Sequence, residues 1–111
     1  MGIQEWSENI ILVNLATEPQ LGEELQGTKD MISEKNCYDV VIDFGDVEII
    51  TSSSIAKLLK IQKGLKEHKR RLILSSVNAR TKKVFTLIGL DSVFEFVDDQ
   101  FVALAGLQMV N

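Results

Sequence analysis

Asp39-Val40-Val41-Ile42-Asp43-Phe44-Gly45-Asp46-Val47-Glu48-Ile49-Ile50-Thr51-Ser52-Ser53-Ser54-Ile55 carries an apolar strand through an acidic turn into a row of hydroxyls and a helix. The nearly continuous apolar run at its start is the pattern of a central strand covered on both faces. Ser and Thr favour helix N-caps because the side-chain oxygen accepts a hydrogen bond from one of the first free backbone N–H groups. One cap needs one such residue. Thr51 to Ser54 supply four, and the surplus permits either a modifiable site or a tightly hydrogen-bonded turn.

Upstream, Ile10 to Leu15 is rich in β-branched residues and predicts a strand, with Ile3 to Trp6 as its hairpin partner. Between Ala16 and Asn36, Leu21, Leu25, Met31 and Ile32 fit a helix that Gly22 and Gly27 weaken. Downstream, Ile55, Leu58, Leu59, Ile61 and Leu65 recur at helical spacing and predict a helix to about Lys69. Gly64 inside it costs about 1 kcal/mol relative to Ala unless close packing needs it. Arg71 to Ser76 returns to strand character. Asn78 suits the cap of a helix over Ala79 to Ile88, and Gly89 suits the left-handed position that ends it. Val93 to Val97 fits an edge strand, followed by a short helix with Phe101, Val102, Leu104, Ala105 and Leu107 as its apolar residues. This alternation predicts an α/β domain with a largely parallel centre and an antiparallel start.

A chain of 111 residues, 45% hydrophobic and 25% charged, is expected to be one domain over 1–111 with a single core. Cys37 is the only cysteine, which excludes an internal disulfide and fits a reducing, cytoplasmic setting. The N-terminus lacks the pattern of a secretory signal, and no apolar run reaches the roughly 18 residues of a membrane span, so a free-standing domain off the membrane is expected. The net charge of −4 conceals a division. Residues 1–54 carry −9 and residues 55–111 carry +5, which suggests surfaces of opposite sign. The acidic total, without a recognition-helix or zinc-finger pattern, argues against direct nucleic-acid binding.

Enzymatic chemistry lacks its parts. His68 is the only histidine, in a basic segment with no second ligand nearby, and reads as a solvated surface residue. Nucleophile-elbow and phosphate-loop motifs are absent. Asp43, Asp46 and Glu48 offer oxygens to a hard cation, but without calcium-loop spacing they read as turn caps and a charged rim. A phosphoaspartate receiver domain would need an acidic pair after the first strand, where Leu15, Ala16 and Thr17 stand. No catalytic residue, metal or cofactor is therefore expected. Lys57, Lys60, Lys63, Lys66, Lys69, Arg70 and Arg71 form a slanting basic stripe, by default a solvated face and alternatively an electrostatic guide for an acidic partner. Arg80, Lys82 and Lys83 would extend it.

The order of apolar strand, Asp43, Val47, Ile50, Ser52, Ser53, amphipathic helix, basic strand, Asn78, Arg80 and Gly89-Leu90 resembles the STAS domain, named for sulfate transporters and anti-sigma factor antagonists. The resemblance covers nearly the whole chain. It implies a mixed sheet of four to five strands packed by about four helices. For the antagonist type it also implies a cytoplasmic transcription regulator that binds an anti-sigma factor, itself a serine kinase, and is switched by phosphorylation. Ser53 then corresponds to the phosphoacceptor, with Ser52 as runner-up. Asp46, Glu48, Thr51, Ser52, Ser54 and Lys57 become the partner-binding surface, and Asp43, Asn78, Arg80 and Gly89 its supporting motif. In the common family form, Asp-Ser-Ser-Gly, Asp stands where this chain has Thr51 and Gly where it has Ser54. These departures motivate the rival expectation of a non-phosphorylated STAS scaffold or sensor module, acting by protein association or by binding a small ligand such as a nucleotide or lipid. A homodimer is left open.

Overall fold

The computed structural model describes residues 2–35 and 37–109. In chain order these form β1 (Gly2–Ser7), β2 (Ile10–Asn14), α1 (Gln20–Glu34), β3 (Asp39–Asp43), α2 (Ser52–Glu67), β4 (Leu72–Ser75), α3 (Ala79–Leu87), β5 (Glu95–Val97) and α4 (Gln100–Met109). The five strands make one sheet in the order β1-β2-β3-β4-β5. Only the β1–β2 pair is antiparallel; β2, β3, β4 and β5 run parallel. The expected α/β architecture with four helices is therefore present.

Strand side chains alternate between faces, and that period sorts the core into two layers. Ile11, Val13, Val40, Ile42, Leu72 and Leu74 point to one face, where α1 brings Leu21 and Leu25, α2 brings Leu58 and Ile61, and α3 brings Phe85. Ile10, Leu12, Val41 and Ile73 point to the other, where Ala103, Leu104 and Leu107 of α4 cover them. Both faces of β3 are thus dry, which is why its sequence is continuously apolar. Removing a large side chain from such a layer, as in Leu58→Ala, costs about 2–5 kcal/mol.

The structure refines three readings. The helix expected from Ile55 begins at Ser52, because an N-terminal turn capped by a hydroxyl needs no apolar period of its own. In the last helix, Phe101, Val102 and Ala105 are exposed; the buried stripe is Ala103, Leu104 and Leu107, since α4 touches the sheet along only that line. The basic stripe is also broken. Arg70 pairs with Asp39 at 3.2 Å and Arg71 pairs with Glu95, while Lys82 lies over the Phe96 ring. Asn78 caps α3 by accepting the Thr81 N–H at 2.7 Å, and Gly89 takes the left-handed conformation at φ +78°. The Asn36 end of the first expected helix lies outside the described residues.

β1 is tied to the start of β3 by the buried Tyr38, whose phenol donates a hydrogen bond to the Glu5 carboxylate. That bond first, and burial second, pushes the phenol from its ordinary 10.0 up to about 12. The folded state then holds this proton more tightly than the unfolded chain. Its contribution to stability is complete below the unfolded value and is lost as pH rises through the folded one. Tyr38 is the only tyrosine, so ultraviolet absorbance should show phenolate forming well above the ordinary range, and Glu5→Ala should bring it back down. Ordinary titration in the unaltered chain would contradict this tie.

Candidate functional site

The corner between β3 and α2 is pinned by two buried residues three positions apart. Val47 and Ile50 are buried, while Asp46, Glu48 and Ile49 face outward, Ile49 at 63% exposure. The backbone between them is held by α3. The Asn78 side-chain amide donates to the Val47 carbonyl at 3.0 Å, and the Thr81 hydroxyl donates to the Glu48 carbonyl at 3.4 Å. Asn78 thus caps a helix with one end of its amide and fixes the acidic turn with the other. Arg80 is exposed beside Glu48 and Asn78, lining a shallow cavity with them.

Asp43 lies beneath this corner. It was expected on a charged rim, but it is only 6% exposed. Its carboxylate accepts from the Gly45 N–H at 2.7 Å, from the Ser75 and Ser76 hydroxyls at 3.3 and 3.2 Å, and from the Gln100 amide at 3.1 Å. A buried carboxylate is tolerated when donors surround it. Here the donors come from the turn, the end of β4 and the start of α4, so one side chain ties three elements together. The turn-capping part of the expectation is met by the Gly45 contact.

The four hydroxyls divide into two pairs. Thr51 is the N-cap of α2, accepting the Ser54 N–H at 3.2 Å. Ser54 is 2% exposed, and its hydroxyl donates to Glu18 at 2.8 Å. The Thr51 hydroxyl donates to the same Glu18 oxygen at 3.1 Å. Ser54 is therefore part of the helix anchor and drops out of the expected partner-facing surface. Ser52 and Ser53 are exposed in the first helical turn. Lys57 is half-buried, its ammonium reaching the Gly22 carbonyl on α1 at 3.4 Å, so its charge is directed toward α1. Glu18 and Gln100 are the participants that sequence reasoning missed. They lie 33 to 86 residues from their partners, and nothing in their local sequence marks them.

This corner lies inside the segment 7–101 that matches the family model for the STAS domain. The chain belongs to the STAS domain family. Among STAS relatives, it is 28% identical over 97 residues to BtrV of Bordetella bronchiseptica, which carries the provisional name of anti-sigma factor antagonist; the match spans 87% of this chain and 80% of BtrV. The STAS fold is shared with the anti-sigma factor antagonist SpoIIAA in its unphosphorylated form, with a TM-score of 0.76, 15% identity, and 96% of each chain covered. Bacillus SpoIIAA in its phosphorylated form superposes with a TM-score of 0.70 at 14% identity, covering 98% of this chain and 97% of that one.

Within this STAS domain, Glu18 provides a carboxylate at the head of α2, where the common family form has an Asp in place of Thr51. A negative group there is favoured by the helix dipole, typically by about 0.3–1 kcal/mol. Among the described residues no group of three His, Cys, Asp or Glu side chains gathers at metal-binding distance. No described helix is long and apolar enough to cross a membrane.

Removing Glu18 leaves the buried Ser54 hydroxyl without its acceptor. Glu18→Ala should lower the unfolding free energy by about 1–3 kcal/mol in urea titration. The loss should shrink when Ser54 is already Ala, since the two changes remove one shared contact. Equal losses in both backgrounds would show that Glu18 acts elsewhere.

Proposed function

We propose that this STAS domain is an anti-sigma factor antagonist that binds its anti-sigma factor, a serine kinase, through the β3–α2 corner, and that phosphorylation of Ser53 releases it. The observation that carries the reading is the division of the hydroxyls. Thr51 and the buried Ser54 are engaged by Glu18 at the helix start, and the exposed Ser52 and Ser53 stand free for a kinase. Of that pair, Ser53 is the second serine of the family motif. The likeness to BtrV, and to SpoIIAA, solved in unphosphorylated and phosphorylated forms, supports a phosphorylation switch.

The surface offered to the partner comprises Asp46, Glu48, Ile49, Ser52 and Ser53, with Thr51 at its edge. Ile49 adds apolar area that composition alone did not single out. A phosphoryl group on Ser53 brings about −1.5 to −2 charge to this acidic rim. The α2 dipole accommodates the charge, so the domain keeps its fold while the docking surface becomes more acidic. A penalty of about 3 kcal/mol on binding is a loss of about a hundredfold.

The test is incubation with the cognate kinase and ATP, followed by mass mapping, and partner affinity of Ser53→Asp and Ser53→Ala. Phosphate should map to Ser53, Ser53→Asp should bind about a hundredfold more weakly, and Ser53→Ala should bind as the unaltered chain does. No phosphate between Thr51 and Ser54, with unchanged binding by Ser53→Asp, would leave a constitutive STAS module in place of the switch.

A further inference from the structure

β3 and β4 carry the Ser53 corner at their C-terminal ends, and a second feature lies at their other ends. The latter parts of α1 and α2, with Tyr38 and Arg70 just ahead of β3 and β4, enclose a cavity of about 330 Å³. This is within the range of small-ligand sites. Lys29, Lys35, Lys60 and Arg70 line it, against the single carboxylate of Glu67. Arg70 is already paired with Asp39, so Lys29, Lys35 and Lys60 against Glu67 leave an excess of two positive charges, in a chain whose net charge is −4. Ile32 and Leu65 supply apolar wall, and Ser33, Tyr38 and His68 supply polar atoms.

Two details mark the cavity as more than a gap between helices. Gly64, in the interior of α2, lines it at a helix-propensity cost of about 1 kcal/mol relative to Ala. Close packing does not demand the glycine. A Cβ built there meets only Ile32 Cδ1, at an ordinary 3.8 Å, so a larger side chain would extend into the cavity. The second detail is Arg70. It commits Nη2 to Asp39 at 3.2 Å, while its Nε is buried with no hydrogen-bond partner among the described residues. Complementing the negative ends of α1 and α2 accounts for cations in a last helical turn. Lys29 and Lys60 lie upstream of those turns, where the dipole does not account for them.

We propose that this cavity binds a small multivalent oxyanion, a phosphate ester or a polycarboxylate, with Lys29, Lys60 and Arg70 as its charged contacts. A monoanion would leave half of that excess unpaired, whereas two negative charges on one small molecule match it. Arg presents a planar fork to such oxygens and Lys a point charge. The site is independent of Ser53 phosphorylation, and its ligand stands at the far end of the parallel strands from the partner-facing corner.

The test is a heteronuclear NMR titration of the whole chain with pyrophosphate and, separately, citrate at constant ionic strength. Saturable amide shifts at Ser33, Gly64 and His68 are expected with at least one probe. Pyrophosphate alone identifies the phosphate class, citrate alone the carboxylate class, and both the shared oxyanion chemistry. Lys60→Glu should weaken binding by about tenfold or more, reversing one contact charge. Gly64→Leu should abolish the shifts without lowering the thermal midpoint. If Gly64→Leu fails to fold, Lys60→Glu decides. No saturable shift with either probe up to about 10 mM, a range that admits only very weak affinity, would overturn the proposal. So would an affinity that Lys60→Glu leaves unchanged.

Discussion

The contact between Glu18 and the hydroxyls of Thr51 and Ser54 decides how this domain presents the start of α2. Glu18 is anchored in the loop after β2, and its Oε2 meets Ser54 Oγ at 2.8 Å and Thr51 Oγ at 3.1 Å. Successive residues on a helix are rotated by about a quarter turn or more, so turning Ser54 inward carries Ser52 and Ser53 outward. A buried hydroxyl without an acceptor is costly. The exposure of Ser53 is therefore a consequence of satisfying Ser54. Asp43 plays the matching part beneath the turn, where donors from three elements converge on one carboxylate.

Much of this architecture was legible in the chain because its causes are local. The unbroken run Val40-Val41-Ile42 announces a strand with two dry faces, and the fold covers one with α1, α2 and α3 and the other with α4. Asn78 and Gly89 bracket α3 by capping chemistry that acts within a few residues. Contacts made across the chain were not legible. Glu18 and Gln100 carry no periodicity or motif, and their roles exist only once the loop after β2 and the start of α4 arrive beside α2 and β3. The start of α2 was placed late for a related reason. Apolar spacing reports only the turns that pack on the core, and the first turn of α2 is held by hydroxyls. Phe101 and Val102 are apolar residues outside the stripe that touches the sheet, a distinction that composition alone does not draw.

The sharp charge division along the sequence is softened in three dimensions. Arg70 and Arg71 are matched by Asp39 and Glu95, and Lys57 turns toward α1. What survives is an acidic rim of Asp46 and Glu48 at one end of the parallel strands and a cluster around Lys29, Lys35 and Lys60 at the other. The parallel topology keeps the two apart: every central strand runs from the basic end to the acidic one. A STAS domain built this way can alter charge at the corner while the far cavity and the intervening core stay as they are.

The central claim is that charge is tolerated at Ser53 and excluded at Ser54, one residue further along the same turn. Urea unfolding of Ser53→Asp and Ser54→Asp, measured side by side, tests it most directly. The account predicts that Ser53→Asp stays within about 0.5 kcal/mol of the unaltered chain, as surface substitutions do. Ser54→Asp should lose about 3 kcal/mol or more, because it buries a carboxylate against Glu18. Equal stability of the two variants, or a larger loss at Ser53, would contradict it.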